Sequence, residues 1–93
     1  MDKFELGQLV VTDGVNTKMK ADPGFDAFVK TSLGRFKRCD WGTLCDEDKA
    51  ECDKAVKNGD QMIMGAYARD GEEIWIITEW NHSATTILFP HER

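Results

Sequence analysis

The side chains in this chain that could do covalent chemistry are few. Cys39, Cys45 and Cys52 supply thiols, His82 and His91 supply imidazoles, and Ser83 directly follows His82. A nucleophile needs a base within hydrogen-bond reach and a third group to orient that base. Adjacent residues on a strand or turn point in different directions, so His82 and Ser83 do not make such a pair, and no Gly-x-Ser-x-Gly elbow is present. His82 reads instead as a turn residue whose ring caps a backbone group. Cys45 stands where a helix should begin, and a helix N-terminus lowers a thiol pKa; the acids Asp46, Glu47 and Asp48 that follow act in the opposite sense. The cysteine spacings are not those of a zinc site, and the histidines lie far along the chain. An odd number of cysteines does not close a disulfide framework, so they read as small, half-buried thiols of a reducing compartment. The glycines are scattered singly, which leaves no glycine-rich phosphate loop. The expectation is a protein with no catalytic set, no metal and no cofactor. A small hydrolase or nuclease built on Cys45 or His82 is one alternative.

The elements that would position these groups follow from length and pattern. The 93 residues suit one compact domain spanning 1–93, and 41% hydrophobic with 31% charged residues is a globular composition. No apolar run approaches the ~20 residues of a membrane span. The opening Met-Asp-Lys-Phe-Glu-Leu has neither the basic start nor the apolar core of a signal peptide. These features predict a cytoplasmic protein.

Val10-Val11-Thr12 favours a short first strand, and Thr12 or Asp13 can cap a short helix through Met19. Asp22-Pro23 is a helix start, because the carboxylate accepts free amides and proline pre-sets φ. Phe25, Phe28, Val29, Ser32, Leu33 and Phe36 then recur at helical spacing as an aromatic core face. Lys30, Arg35, Lys37 and Arg38 gather towards the end of that helix, where they complement its dipole; phosphate binding is the other use for them. Thr43 should cap a third helix running from about Leu44 to Asn58 and closing at Gly59. From Gln61 onward the pattern becomes that of strands. Asp70-Gly71 is a two-residue hairpin turn, Glu72–Glu79 is apolar on both faces like a central strand covered on each side, and Ala84–Phe89 ends at Pro90. The fold class is α+β: a three- to four-stranded antiparallel sheet, mostly a C-terminal meander, with about three helices on one face in the order β-α-α-α-β-β-β. The first strand should add to an edge.

Charge separates the two parts of the chain. Residues 1–38 carry seven Lys/Arg against five Asp/Glu, and residues 39–93 carry five against twelve, so the net −5 arises from the second part. Such a domain repels nucleic-acid backbones and is not expected to bind them directly. Helix-dipole stabilisation accounts for Asp46, Glu47 and Asp48. It does not account as well for Glu51, Asp53 and Asp60, and Asp40 lies just upstream. Together with Asp70, Glu72 and Glu73 they could stand in for a row of phosphates and occupy the basic groove of a nucleic-acid-binding protein. The other reading is a solvated acidic face.

Several stretches carry a family resemblance. They are Phe4-Glu-Leu-Gly-Gln-Leu-Val-Val-Thr-Asp-Gly-Val-Asn16, Trp41-Gly-Thr-Leu-Cys-Asp-Glu-Asp-Lys49, Trp75-Ile-Ile-Thr-Glu79 and Ser83-Ala-Thr-Thr-Ile-Leu-Phe-Pro90. Across nearly the whole chain it resembles short proteins carried on bacterial plasmids, conjugative elements and phages, labelled plasmid-related or restriction–modification subunits. Trp80-Asn-His82 departs from the acidic or basic pair expected there. Small acidic mobile-element proteins without an enzyme signature are similar to anti-CRISPR and anti-restriction inhibitors. That resemblance implies a non-enzymatic inhibitor in the host bacterial cell, which binds a CRISPR–Cas effector complex and blocks its access to DNA. Asp40, Asp46, Glu47, Glu51, Asp53 and Asp60 would be its phosphate substitutes. A second alternative is an adaptor that binds a partner through Trp80 and an apolar sheet face.

Overall fold

A computed structural model of the protein describes residues 4–59 and 61–92. The elements are β1 (Gln8–Val11), α1 (Asp13–Ala21), α2 (Pro23–Lys37), α3 (Asp46–Asn58), β2 (Ile63–Arg69), β3 (Glu72–Thr78), β4 (Ala84–Leu88) and a 3-10 turn over Pro90–Glu92. The strands form one sheet in the order β1-β4-β3-β2. β2, β3 and β4 are an antiparallel meander, as their sequence suggests. β1 does add to an edge, but it runs parallel to β4, with Gln8 opposite Ala84 and Val11 opposite Ile87. The sheet is therefore mixed and not wholly antiparallel. Parallel pairing brings the C-terminal ends of β1 and β4 together, so that α1 starts beside the end of β4. The Thr12 hydroxyl and the Phe89 amide there both donate to Glu92 Oε1, at 2.7 and 2.8 Å.

Local chemistry sets the helix ends. Thr12 caps α1, and Asp22 Oδ1 accepts from the amides of Gly24 (2.9 Å) and Phe25 (3.2 Å) at the start of α2. The hairpin turn has left-handed backbone at both central residues, Asp70 (φ 50°) and Gly71 (φ 81°), as a type I′ turn requires.

All three helices bury their apolar sides against the same sheet face. Val15 of α1, Phe25, Val29 and Phe36 of α2, and Cys52 and Ala55 of α3 form one cluster with Ile63, Tyr67, Ile74, Ile76 and Ile87. Each large side chain fully buried there contributes roughly 1.5–3 kcal/mol. Two hydroxyls enter this face without disrupting it. Thr85 donates to the Leu6 carbonyl (2.7 Å), so the Thr78–Thr85 bond (2.7 Å) must use the Thr78 proton. The opposite face holds Met64, Ala66, Trp75, Ile77, Thr86 and Leu88, and none of them joins the cluster. β3 is an inner strand as expected, but only one of its faces carries a helical layer among the described residues. Its apolar second face is largely buried all the same, with Ile77 1%, Ala66 2% and Leu88 6% exposed, so β3 is enclosed on both sides as its sequence suggests.

Candidate functional site: the acidic helix and its anchors

The outer edge of β2 is the foundation for α3. Residues 41–43 run alongside it: the Ala66 amide donates to the Trp41 carbonyl (3.1 Å), and the Thr43 amide donates to the Ala66 carbonyl (2.7 Å). Gly42 lies against Ala66 at the bridge between them, with φ 75°, and a Cβ there would run into the Ala66 carbonyl. The Thr43 hydroxyl also donates to that carbonyl, at 3.3 Å. Thr43 is thus held to the sheet and does not cap α3, contrary to expectation. Cys45 occupies the N-cap position without a side-chain bond, and α3 starts at Asp46. Its first turn relies on Asp46, Glu47 and Asp48 opposite the free amides. At the far end Gly59 closes the helix in left-handed conformation, as expected.

Two bonds then fix the inner side of α3. The buried Trp41 donates its indole N–H to Asp53 Oδ1 at 2.9 Å, and the Cys52 thiol donates to the Met64 carbonyl at 3.1 Å. Burial pushes the Cys52 thiol up from its ordinary pKa, so it stays protonated as that donor. Upstream, Asp40 receives Arg35 Nε (2.8 Å) and Nη2 (3.2 Å) and the Gly42 amide (3.1 Å). The Arg35 hydrogen bond, aided by that amide, holds the Asp40 carboxyl below its ordinary value. The Arg35 guanidinium also sits over the ring of Tyr67, 5.2 Å from its centroid, and the Tyr67 hydroxyl donates to the Asp40 carbonyl at 2.8 Å. Burial raises the Tyr67 pKa above its ordinary range.

The residues anticipated as phosphate substitutes therefore divide. Asp40 and Asp53 hold the loop and the helix together. Asp46, Glu47 and Glu51 lie exposed on α3, with Asp48 beside them. Asp60 lies outside the described residues. Among the described residues only Glu51 of these exposed acids meets a lysine, Lys54 at 3.5 Å, and both side chains are about two-thirds exposed, so the pair neutralises little. The segment 46–51 carries four acids and one lysine, a balance of −3. At 1.5 Å rise per residue this is one net charge per roughly 3 Å, somewhat over half the density of duplex DNA at ~1.7 Å per charge.

No protein family, curated protein or solved structure matches the chain.

The turn acids of residues 70–73 behave differently. Asp70 pairs with Arg69 (3.1 Å), Glu72 pairs with Lys18, and Glu73 accepts the Trp75 indole N–H (3.0 Å). A cleft of about 370 Å³ between α3 and the start of β2 has Leu44, Cys52, Met62, Met64, Asp48 and Glu51 in its lining.

The candidate catalytic groups do not assemble. His82 does not cap a backbone group as expected: it sits at φ 57°, its ring edge-on to Phe4 at 6.1 Å, and its Nε2 is buried without a hydrogen-bond partner. The cysteines are not uniformly half-buried, since Cys45 is exposed and Cys52 buried. No three His, Cys, Asp or Glu side chains among the described residues converge as metal ligands. No helix among them is long and apolar enough to cross a membrane. Trp80 projects from the β3–β4 turn with 64% of its surface exposed. The Trp41-Gly42 pair reads in sequence as a loop aromatic that tucks back over the helices, and Trp41 does so; what sequence reasoning missed is its bond to Asp53, which anchors α3.

Proposed function

We propose that the protein is a non-enzymatic inhibitor that places α3 in the nucleic-acid groove of a basic partner. The observation that carries this reading is the cluster of exposed carboxylates Asp46, Glu47, Asp48 and Glu51, whose net charge density is over half that of duplex DNA. In the groove, lysines and arginines that would meet phosphates meet these carboxylates instead, and DNA is displaced competitively. Long-range attraction speeds the encounter and makes it sensitive to salt. Asp40 and Asp53 serve by positioning the helix. Taken with the resemblance described above, the target class is a CRISPR–Cas effector complex in the cytoplasm of a host bacterium, which makes this an anti-CRISPR inhibitor.

The test is target-DNA binding by purified effector complexes of several types, with increasing amounts of the protein at low and high salt. Displacement near stoichiometric ratio, weakened by salt and lost when Asp46, Glu47 and Glu51 are all changed to Lys, is the expected result. Full inhibition by the triple variant overturns the phosphate-mimic mechanism. Undiminished DNA binding by every effector type overturns the target class.

A further inference from the structure

The two edges of the sheet are finished differently. Along β2 the outer edge is covered: residues 41–43 run beside it, and both the Ala66 amide and the Ala66 carbonyl are bonded to that segment. The Met64 carbonyl is also taken, by the Cys52 thiol. Along β1 no strand or loop among the described residues pairs with the outer side. The Gln8 and Thr12 amides donate inward to the Ser83 and Ile87 carbonyls, at 3.0 and 3.1 Å, so alternation turns the backbone groups of Leu9 and Val11 outward. The side chains there are open as well, Leu9 by 46% and Val10 by 38%. Edge strands that stay single are usually blunted with charge, proline or a bulge. Gln8-Leu9-Val10-Val11 has no charge and no proline, and it pairs with β4 position by position without a bulge.

We infer that β1 pairs with β1 of a second copy of this chain, antiparallel across a two-fold axis, so that two four-stranded sheets become one continuous sheet. The register follows from which backbone groups face outward. Directly opposed residues of an antiparallel pair exchange both of their hydrogen bonds, and the outward residues are Leu9 and Val11. Leu9 of one copy therefore lies opposite Val11 of the other, twice over, and Val10 meets Val10 on the axis at the closer, non-hydrogen-bonded spacing. Gln8 faces Thr12 in the same register, so from 8 to 12 no charge is set against another. The strand is thus complementary to itself. Each copy offers one open edge, because that of β2 is covered, and the assembly closes at two copies without extending into a fibre. Since α3 packs beside β2 at the far edge, the inference concerns another surface and does not rest on the proposed function.

The test is sedimentation equilibrium of the full chain over a wide range of concentrations. A reversible monomer–dimer equilibrium with no larger species is expected. Val10→Lys sets two lysines face to face on the axis and should weaken the dimer at least roughly tenfold, as should Val10→Glu with two carboxylates. An equal mixture of the two variants should recover it as a heterodimer, which a loss caused by misfolding would not do. Val10 is an exposed edge residue, so both variants should fold, and circular dichroism checks this. Hydrogen exchange of the unaltered chain is a second readout: the Leu9 and Val11 amides should slow as concentration rises. Changing Asp46, Glu47 and Glu51 to Lys should leave the dimer in place, which separates this edge from α3. A monomer at every concentration overturns the inference, as does a dimer that Val10→Lys leaves intact. So do folded variants that fail to associate on mixing, or Leu9 and Val11 amides whose exchange ignores concentration. Species larger than a dimer overturn the closed two-fold pairing.

Discussion

The acids of the 70–73 turn and those of α3 are of the same residue types, and both groups lie beside β2. In the turn, Lys18 reaches Glu72 from α1, Arg69 holds Asp70, and the Trp75 indole holds Glu73. On α3 Asp53 accepts the Trp41 indole N–H, while the first-turn acids have no such donor among the described residues and three lysines only partly offset them. Acid content therefore says little about which surface is available to a partner. The useful distinction is whether each carboxylate already has a donor within the fold.

The largest expected effect breaks this contrast directly. Changing Asp46, Glu47 and Glu51 together to Lys should weaken association with the basic partner by roughly 100-fold or more, whereas changing Asp70, Glu72 and Glu73 to Lys should change it by about threefold at most. Competition binding at fixed salt checks both, and equal losses would erase the distinction between the two acidic regions. Next comes Asp53→Ala, which deprives the buried Trp41 indole of its acceptor and should cost about 1–3 kcal/mol in denaturant unfolding. If Asp46→Ala costs as much, the division of α3 into anchoring and exposed acids is wrong. Glu72→Gln removes a partly exposed ion pair; it should lower stability by about 0.2–1 kcal/mol and Tm by at most about 5 °C without altering binding.

The smallest effect is one of pH. Because the Asp40 carboxyl is held below its ordinary 3.8, its contribution to stability is complete above that value and declines as pH falls through its lower folded-state pKa. The acid limb of a stability–pH profile should therefore be shallower in Arg35→Met than in the unaltered protein. The partial exposure of the pair keeps the difference small.

What the chain reveals on reading depends on how far apart the interacting residues are. The Asp22-Pro23 start, the Asp70-Gly71 turn, the Gly59 stop and the three-strand meander are local, and each was legible. The direction of β1 was not, because its partner is β4, at the other end of the chain. Thr43 looked like a cap because nothing local shows that its donors meet the Ala66 carbonyl. For the same reason Asp40 and Asp53 looked as available as Asp46. The tryptophan and arginine that engage them become neighbours only after α2, the 41–43 segment and α3 have packed.

The parallel edge strand has a kinetic consequence. Gln8 meets Ala84, a closure across 76 positions (84 − 8), while β2, β3 and β4 join through short turns. Closing a long loop costs more chain entropy than closing a short one, and distant pairings form late. The meander can therefore assemble and receive the helices first, and β1 completes the sheet as the final seam. The same seam is the first to reopen. In native-state hydrogen exchange the amides of Gln8 and Thr12, which bond to Ser83 and Ile87 across it, should exchange well before those shared by β2 and β3.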